Sequence, residues 1–226
     1  YISSDLIGVQ LGGIMKNIDR RQFLRNTLAT TAAVGLTANK AFAGKKNHFD
    51  PKGLPTETFG KTGVEIPKIV IGTGSRWCSV KDEDEALGIL EHSLDNGLYY
   101  WDSASIYKGD GFTSEERIGK LLKHRRKDVF MATKVKSREP NEAKKQIEVS
   151  LKQLQTDYLD LLQIHLIESM EDVDKIGTKG GLWDILRTLK DQGVVKNIGF
   201  TGHLNAEAMA EMVKRFDFDT MLIALN

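Results

Sequence analysis

Apolar residues along this chain alternate between two patterns. Ala86, Leu87, Leu90 and Leu94 recur at three- and four-residue spacing, which predicts a helix over Asp82–Asn96 that stops at Gly97. The same periodicity predicts helices over Asn141–Gln155, through Ile147, Leu151 and Leu154, and over Leu182–Gln192 and Ala206–Arg215. A further helix opens at Ser114-Glu115-Glu116-Arg117, with Ser114 as N-cap and acidic residues in the first turn. Between the helices lie short continuous apolar runs, as expected of strands buried on both faces. They cover Ile69–Ile71, Leu98–Trp101, Val129–Thr133, Tyr158–Ile164, Asn197–Phe200 and Thr220–Leu225. Ahead of them, Gly60-Lys61-Thr62-Gly63 makes a turn between two short strands.

Strict alternation of strand and helix implies α/β class with a parallel sheet. No G-x-G-x-x-G follows any of the strands. Together with the leading hairpin, this favours a (β/α)8 TIM barrel over a doubly wound sheet. The barrel needs eight strands and the sequence carries six, so about six of the eight β-α units are expected over residues 44–226.

Four polar residues stand at or just beyond the carboxyl ends of consecutive runs. Asp102 and Tyr107 follow Leu98–Trp101, Lys134 follows Val129–Thr133, and His165 follows Tyr158–Ile164. In a parallel barrel these strand ends face one mouth, where the chemistry of such folds resides. A tyrosine is a poor acid near neutrality, and a neighbouring ammonium favours its phenolate. Lys134 supplies that charge, Asp102 holds the lysine, and His165 orients a substrate oxygen. The set makes a proton-donating site for a carbonyl being reduced. Singly, each residue has an ordinary use in packing, solvation or turn capping; the set carries the reading.

Composition excludes little but does exclude something. A net charge of +1, with no basic stripe interleaved with aromatics, argues against a nucleic-acid partner. Cys78 is the single cysteine, so neither an intrachain disulfide nor a cysteine metal cluster is available, and no metal site is expected.

Charge is unevenly placed. Residues 1–43 hold five basic against two acidic side chains, which leaves the remainder at −2. Met15 and the basic stretch after it read as a true start, so residues 1–14 are expected to be upstream reading frame. A weakly apolar run over Thr27–Ala38 and the small-x-small site Ala41-Phe42-Ala43 complete a cleavable signal over 15–43. That run is too short for a stable membrane span. Arg20-Arg21-Gln22-Phe23-Leu24-Arg25 resembles a twin-arginine signal, with Asp19 where Ser or Thr is usual. The expected partner is the twin-arginine export machinery, and the expected location is the periplasm.

From about Glu57 onward the sequence resembles the aldo-keto reductase family. The resemblance rests on Trp-Asp-Ser-Ala-Ser-Ile-Tyr with Asp102 and Tyr107, Ala-Thr-Lys-Val with Lys134, and Gln-Ile-His with His165. The segment Ser114-Glu115-Glu116-Arg117-Ile118-Gly119 is similar to the family's Ser-Glu-x-x-Ile-Gly. It implies an NADPH-dependent oxidoreductase for aldehydes or ketones, with Tyr107 as acid, Lys134 and Asp102 tuning it, and His165 positioning the carbonyl. By the same resemblance, Thr73, Asp102, Thr201 and Gly202 are the expected contacts to NADP(H). Thr201-Gly202 stands where the family usually has Ser-Asn, and Leu222 where many members have Gln. Two other readings stay open: a non-catalytic barrel used for binding, and an inactive gene fragment.

Overall fold

β1 (Thr56–Thr58) and β2 (Glu65–Pro67) pair antiparallel around the glycine-flanked turn. Six parallel strands follow: β3 (Ile71–Gly72), β4 (Tyr100–Asp102), β5 (Phe130–Val135), β6 (Leu159–Ile164), β7 (Val195–Gly202) and β8 (Thr220–Ile223). They lie side by side in chain order, and the helices connect them. These are α1 (Ser75–Cys78), α2 (Glu83–Asp95), α3 (Ser114–Arg125), α4 (Pro140–Gln153), α5 (Met170–Gly177), α6 (Leu182–Asp191) and α7 (Ala206–Arg215). The architecture is a partial (β/α)8 barrel. This computed structural model describes residues 48–224. The expected upstream frame (1–14), the arginine pair Arg20-Arg21 and the site Ala41-Phe42-Ala43 lie outside the described residues.

β5 and β6 are buried along their whole length, as strands with helices on their outer face and the barrel interior on the other should be. The hairpin covers the amino ends of the strands. Phe59 packs on Tyr100 and Phe130, the first residues of β4 and β5, with centroids 5.3 and 6.1 Å away. The Tyr99 hydroxyl donates to the Glu65 carbonyl at 2.7 Å. Asp160 sits near the same end, buried at the start of β6. It accepts from Arg126 and Lys196 side chains and the Met131 N–H, at 2.7, 2.7 and 3.0 Å. The carboxyl ends are thereby left to other work.

Gly119 shows why the Ser-Glu-x-x-Ile-Gly segment ends in glycine. A Cβ there would collide with the Gln153 carbonyl of α4, so glycine is what lets α3 and α4 approach.

Three local expectations need correction. Ser114 is not the N-cap of α3: Thr113 caps it, in a reciprocal box with Glu116, and Ser114 turns inward. Ile69 and Val70 are not buried. They are 71% and 40% exposed, because β3 spans two residues and, among the described residues, pairs only with β4. Finally, the sequence pattern predicts neither of the two short helices α1 and α5, of which α5 is the longer. It buries two side chains, Val173 and Ile176, and starts at the Ser169 N-cap. Among the described residues no helix is long and apolar enough to cross a membrane.

Candidate active site

Four carboxyl strand ends are fixed before any side chain is considered. The parallel ladder runs on beyond the strands: Ser103 N–H donates to the Ala132 carbonyl and His165 N–H to the Val135 carbonyl, both at 2.9 Å, and Ile167 N–H to the Thr201 carbonyl at 2.7 Å. The residues that follow β4 and β6 are thus held in register with the neighbouring strands.

Lys134 is the centre. Only 2% of its side chain is exposed, and its ammonium is bonded to Asp102 Oδ2 and to the Ser103 carbonyl, the latter at 2.7 Å. The other Asp102 oxygen accepts from Gln163 Nε2 at 2.9 Å. Lys134 Nζ lies 5.0 Å from the centroid of the Tyr107 ring. The His165 ring meets the Tyr107 ring edge-on, at 5.9 Å and 85°. Behind Tyr107 stands Gly74, whose missing Cβ would lie 3.4 Å from the ring. The structure therefore brings together all four residues singled out from the strand ends.

His165 is neutral at pH 7. Burial, and then the charge of Lys134 with smaller effects of Lys136, Arg138 and His203, pushes its pKa down to about 4. A neutral imidazole can donate one hydrogen bond and accept another, which suits a group that orients a carbonyl oxygen.

Thr201 is buried, and its Oγ1 accepts from the Leu166 N–H at 2.9 Å. That bond uses a lone pair and leaves the hydroxyl proton free to donate. Gly202 is also buried, and a Cβ on it would run into the Met209 thioether of α7. Thr73 has no exposed surface. Its hydroxyl donates to the Asp102 carbonyl at 3.0 Å and accepts from Ser114 Oγ at 2.9 Å, so it ties the end of β4 to the start of α3.

Two contributors were missed from sequence. Gln163 faces the same side of β6 as His165, two residues on, and a polar side chain inside an apolar run was the available signal. Arg138 carried no signal at all: its partners are the Lys136, His165 and Leu166 carbonyls and Asp172.

A buried ammonium–carboxylate pair, a phenol and a neutral imidazole converge on one mouth of a β-α barrel. Residues 68–226 match the model of the aldo/keto reductase family. This chain belongs to that family. Among proteins similar to it, an uncharacterized oxidoreductase of Bacillus subtilis (strain 168), YrpG, is 34% identical over 179 residues, covering 69% of this chain and 52% of that protein. The aldo-keto reductase YhdN of the same organism is 32% identical, over 61% of this chain and 44% of its own length. Among solved structures, the holo form of an aldo-keto reductase from Bacillus halodurans superposes with a TM-score of 0.65 at 26% identity. That match covers 76% of this chain and 58% of the other. A Klebsiella pneumoniae aldo/keto reductase in complex with NADP and acetate gives 0.56 at 25%, over 73% and 55%. The chain spans about half the length of the curated relatives it matches. In this aldo/keto reductase family member the four residues Asp102, Tyr107, Lys134 and His165 all lie on or just after β4, β5 and β6.

Proposed function

We propose that this reductase converts small aldehydes or ketones to alcohols with NADPH, and catalyses the reverse reaction when alcohol and NADP are in excess. The carrying observation is the buried Lys134–Asp102 pair set against Tyr107, with neutral His165 meeting the same ring edge-on. NADP(H) as cofactor is supported by the Klebsiella pneumoniae relative, solved with NADP and acetate, and by a fission-yeast relative whose name carries NADP(+). The donor set at the mouth fits a nicotinamide: the Thr201 hydroxyl retains a proton for its amide, while Gly202 adds no side-chain contact and Thr73 no exposed surface.

When bound, NADPH supplies a hydride to the carbonyl carbon. The electron pair of the C=O bond moves to oxygen, which takes the Tyr107 proton, and the alcohol leaves with its new C–H and O–H bonds. Tyr107 is left as phenolate until water restores its proton. The Lys134 ammonium stabilises that phenolate, and Asp102, held by Gln163, keeps the ammonium in place. His165, being neutral, donates to the carbonyl oxygen and aims it at Tyr107 without competing as an acid.

The test is Tyr107→Phe, assayed by NADPH consumption with a panel of small aldehydes and by NADPH fluorescence titration. Turnover falls about 10²- to 10⁴-fold while NADPH affinity is kept. A wild-type protein that binds no NADP(H), or a phenylalanine variant as active as wild type, rejects the reading.

The reductase is also assigned to the periplasm, with Gly44 near the start of the mature chain. What supports this is sequence alone, Arg20-Arg21 ahead of Ala41-Phe42-Ala43. Replacing both arginines by lysine should hold the protein in the cytoplasm; unaltered export would refute the assignment.

A further inference from the structure

Leu166, the residue after His165, has a φ of +57°, in the left-handed region where a Cβ crowds the backbone. A branched side chain holds that conformation only where its surroundings over-determine it. Here they do. The His165 and Leu166 carbonyls both accept from one nitrogen of Arg138, Nη2, at 2.9 and 2.7 Å. The Leu166 N–H donates to Thr201 Oγ1 at 2.9 Å. Every backbone polar group of the two residues is therefore taken, from three directions: β5 at His165 N–H, the loop after β5 through Arg138, and the end of β7 through Thr201.

Arg138 is itself held. Its Nη1 donates to the Lys136 carbonyl at 2.7 Å, and its Nε to Asp172 Oδ1 in the first turn of α5 at 3.2 Å. Asp172 also accepts from the Glu168 N–H at 3.0 Å, which fastens the far end of the same loop. Burial pulls the Asp172 carboxyl upward, but the Glu168 N–H and the Arg138 guanidinium outweigh it and keep the group ionised. A planar guanidinium with five donors can serve two carbonyls, a third and a carboxylate at once, which a lysine cannot.

We propose that Arg138 is a positioning residue: braced by Asp172, it locks Leu166 in the left-handed conformation and thereby sets the direction of the His165 ring toward Tyr107. It touches neither substrate nor cofactor. The inference rests on the assigned role of His165, but the geometry it describes is measurable without turnover.

The discriminating experiment uses glycine, which adopts φ > 0 unaided. Arg138→Met, Leu166→Gly and the double variant are made in the whole protein. Two properties are read: the nuclear Overhauser contact between the His165 and Tyr107 rings, and kcat and KM with NADPH and a small aldehyde. Arg138→Met should weaken the ring contact and lower kcat about tenfold or more, with KM for NADPH within about twofold. Adding Leu166→Gly should restore the contact and return kcat to within about threefold of Leu166→Gly alone. An arginine that merely stabilises the fold would not be rescued in this way. A double variant as impaired as Arg138→Met, or an Arg138→Met protein with the ring contact intact, overturns the proposal. Should Arg138→Met not fold, Asp172→Asn loosens the brace with the guanidinium present and is judged by the same contact and the same rescue. If wild type shows no turnover, the reduction reading fails separately and the ring contact still decides.

Discussion

Gln163 Nε2 donates to one oxygen of Asp102 at 2.9 Å and so leaves the other oxygen to the Lys134 ammonium. Gln163 is buried in β6, and its register partner in β5 is Lys134 itself. The amide therefore decides which way the carboxylate faces. Replacing it by leucine removes that restraint and leaves a carboxylate oxygen short of a donor. Gln163→Leu should lower kcat and cost about 1–3 kcal/mol of stability, read from a denaturant midpoint. Unchanged values in both would show that Lys134 alone orients Asp102.

The Lys134–Asp102 pair is almost wholly out of water, with 2% and 13% of the side chains exposed. Removing one partner leaves the other charge uncompensated. Lys134→Met should abolish turnover and destabilise the protein by about 3–5 kcal/mol. A loss below about 1 kcal/mol, the range of exposed pairs, would mean that water reaches Asp102 freely.

Two buried groups make opposite demands on pH. His165 titrates lower in the folded chain, about 4 against an ordinary 6.5, so the unfolded chain binds more protons in that window. Its contribution to stability is present above 6.5 and is lost as pH falls toward 4. Glu115 behaves conversely: burial raises its carboxyl from 4.5 to about 7, against the pull of hydrogen bonds from Thr133 and Ser150. Its contribution is full below 4.5 and is lost as pH rises through 7. Relative to wild type, Glu115→Gln should gain stability between pH 5 and 8, and His165→Asn should flatten the slope between pH 4 and 6.5. Urea midpoints across that range check both; curves parallel to wild type would contradict them.

Gly202 gives a steric prediction. An asparagine introduced there must push Met209 aside, so Gly202→Asn alone should be destabilising. Combined with Met209→Ala, the amide gains room beside Thr201, and the double variant should recover stability and bind NADPH more tightly than wild type. Fluorescence titration decides; weaker binding by the stable double variant would show that the nicotinamide amide does not reach this point.

The four residues at the mouth were legible because three of them stand at the ends of apolar runs and Tyr107 in the loop just beyond one, and alternation of strand and helix sends all such ends the same way. Gln163 was half legible, as a polar residue inside β6. Arg138 was not, because its meaning lies in Asp172, 34 positions on, and in the backbone of a loop whose shape no local pattern encodes. Ser114 and Thr113 are adjacent and equally able to cap a helix. What separates them is the buried bond from Ser114 to Thr73, a contact between distant segments. Ile69 and Val70 misled for a related reason: an apolar run reads as buried whether or not a neighbour is there to cover it.

The neighbour-only order of the six strands has a consequence for how the molecule is made. Tyr100 pairs with Phe130, Ala132 with Leu161, and Leu161 with Asn197, so each pairing closes a loop of one or two helices and their turns. The entropic cost of each closure is similar and modest. The sheet can therefore be laid down one β-α unit at a time as the chain leaves the ribosome, amino end first. The exception is Lys61, whose ammonium meets Asp217, 156 positions away, at 2.5 Å. That contact waits for β7 and α7, whereas the hairpin's packing on β4 and β5 through Phe59 and Tyr99 forms as soon as those strands are in place.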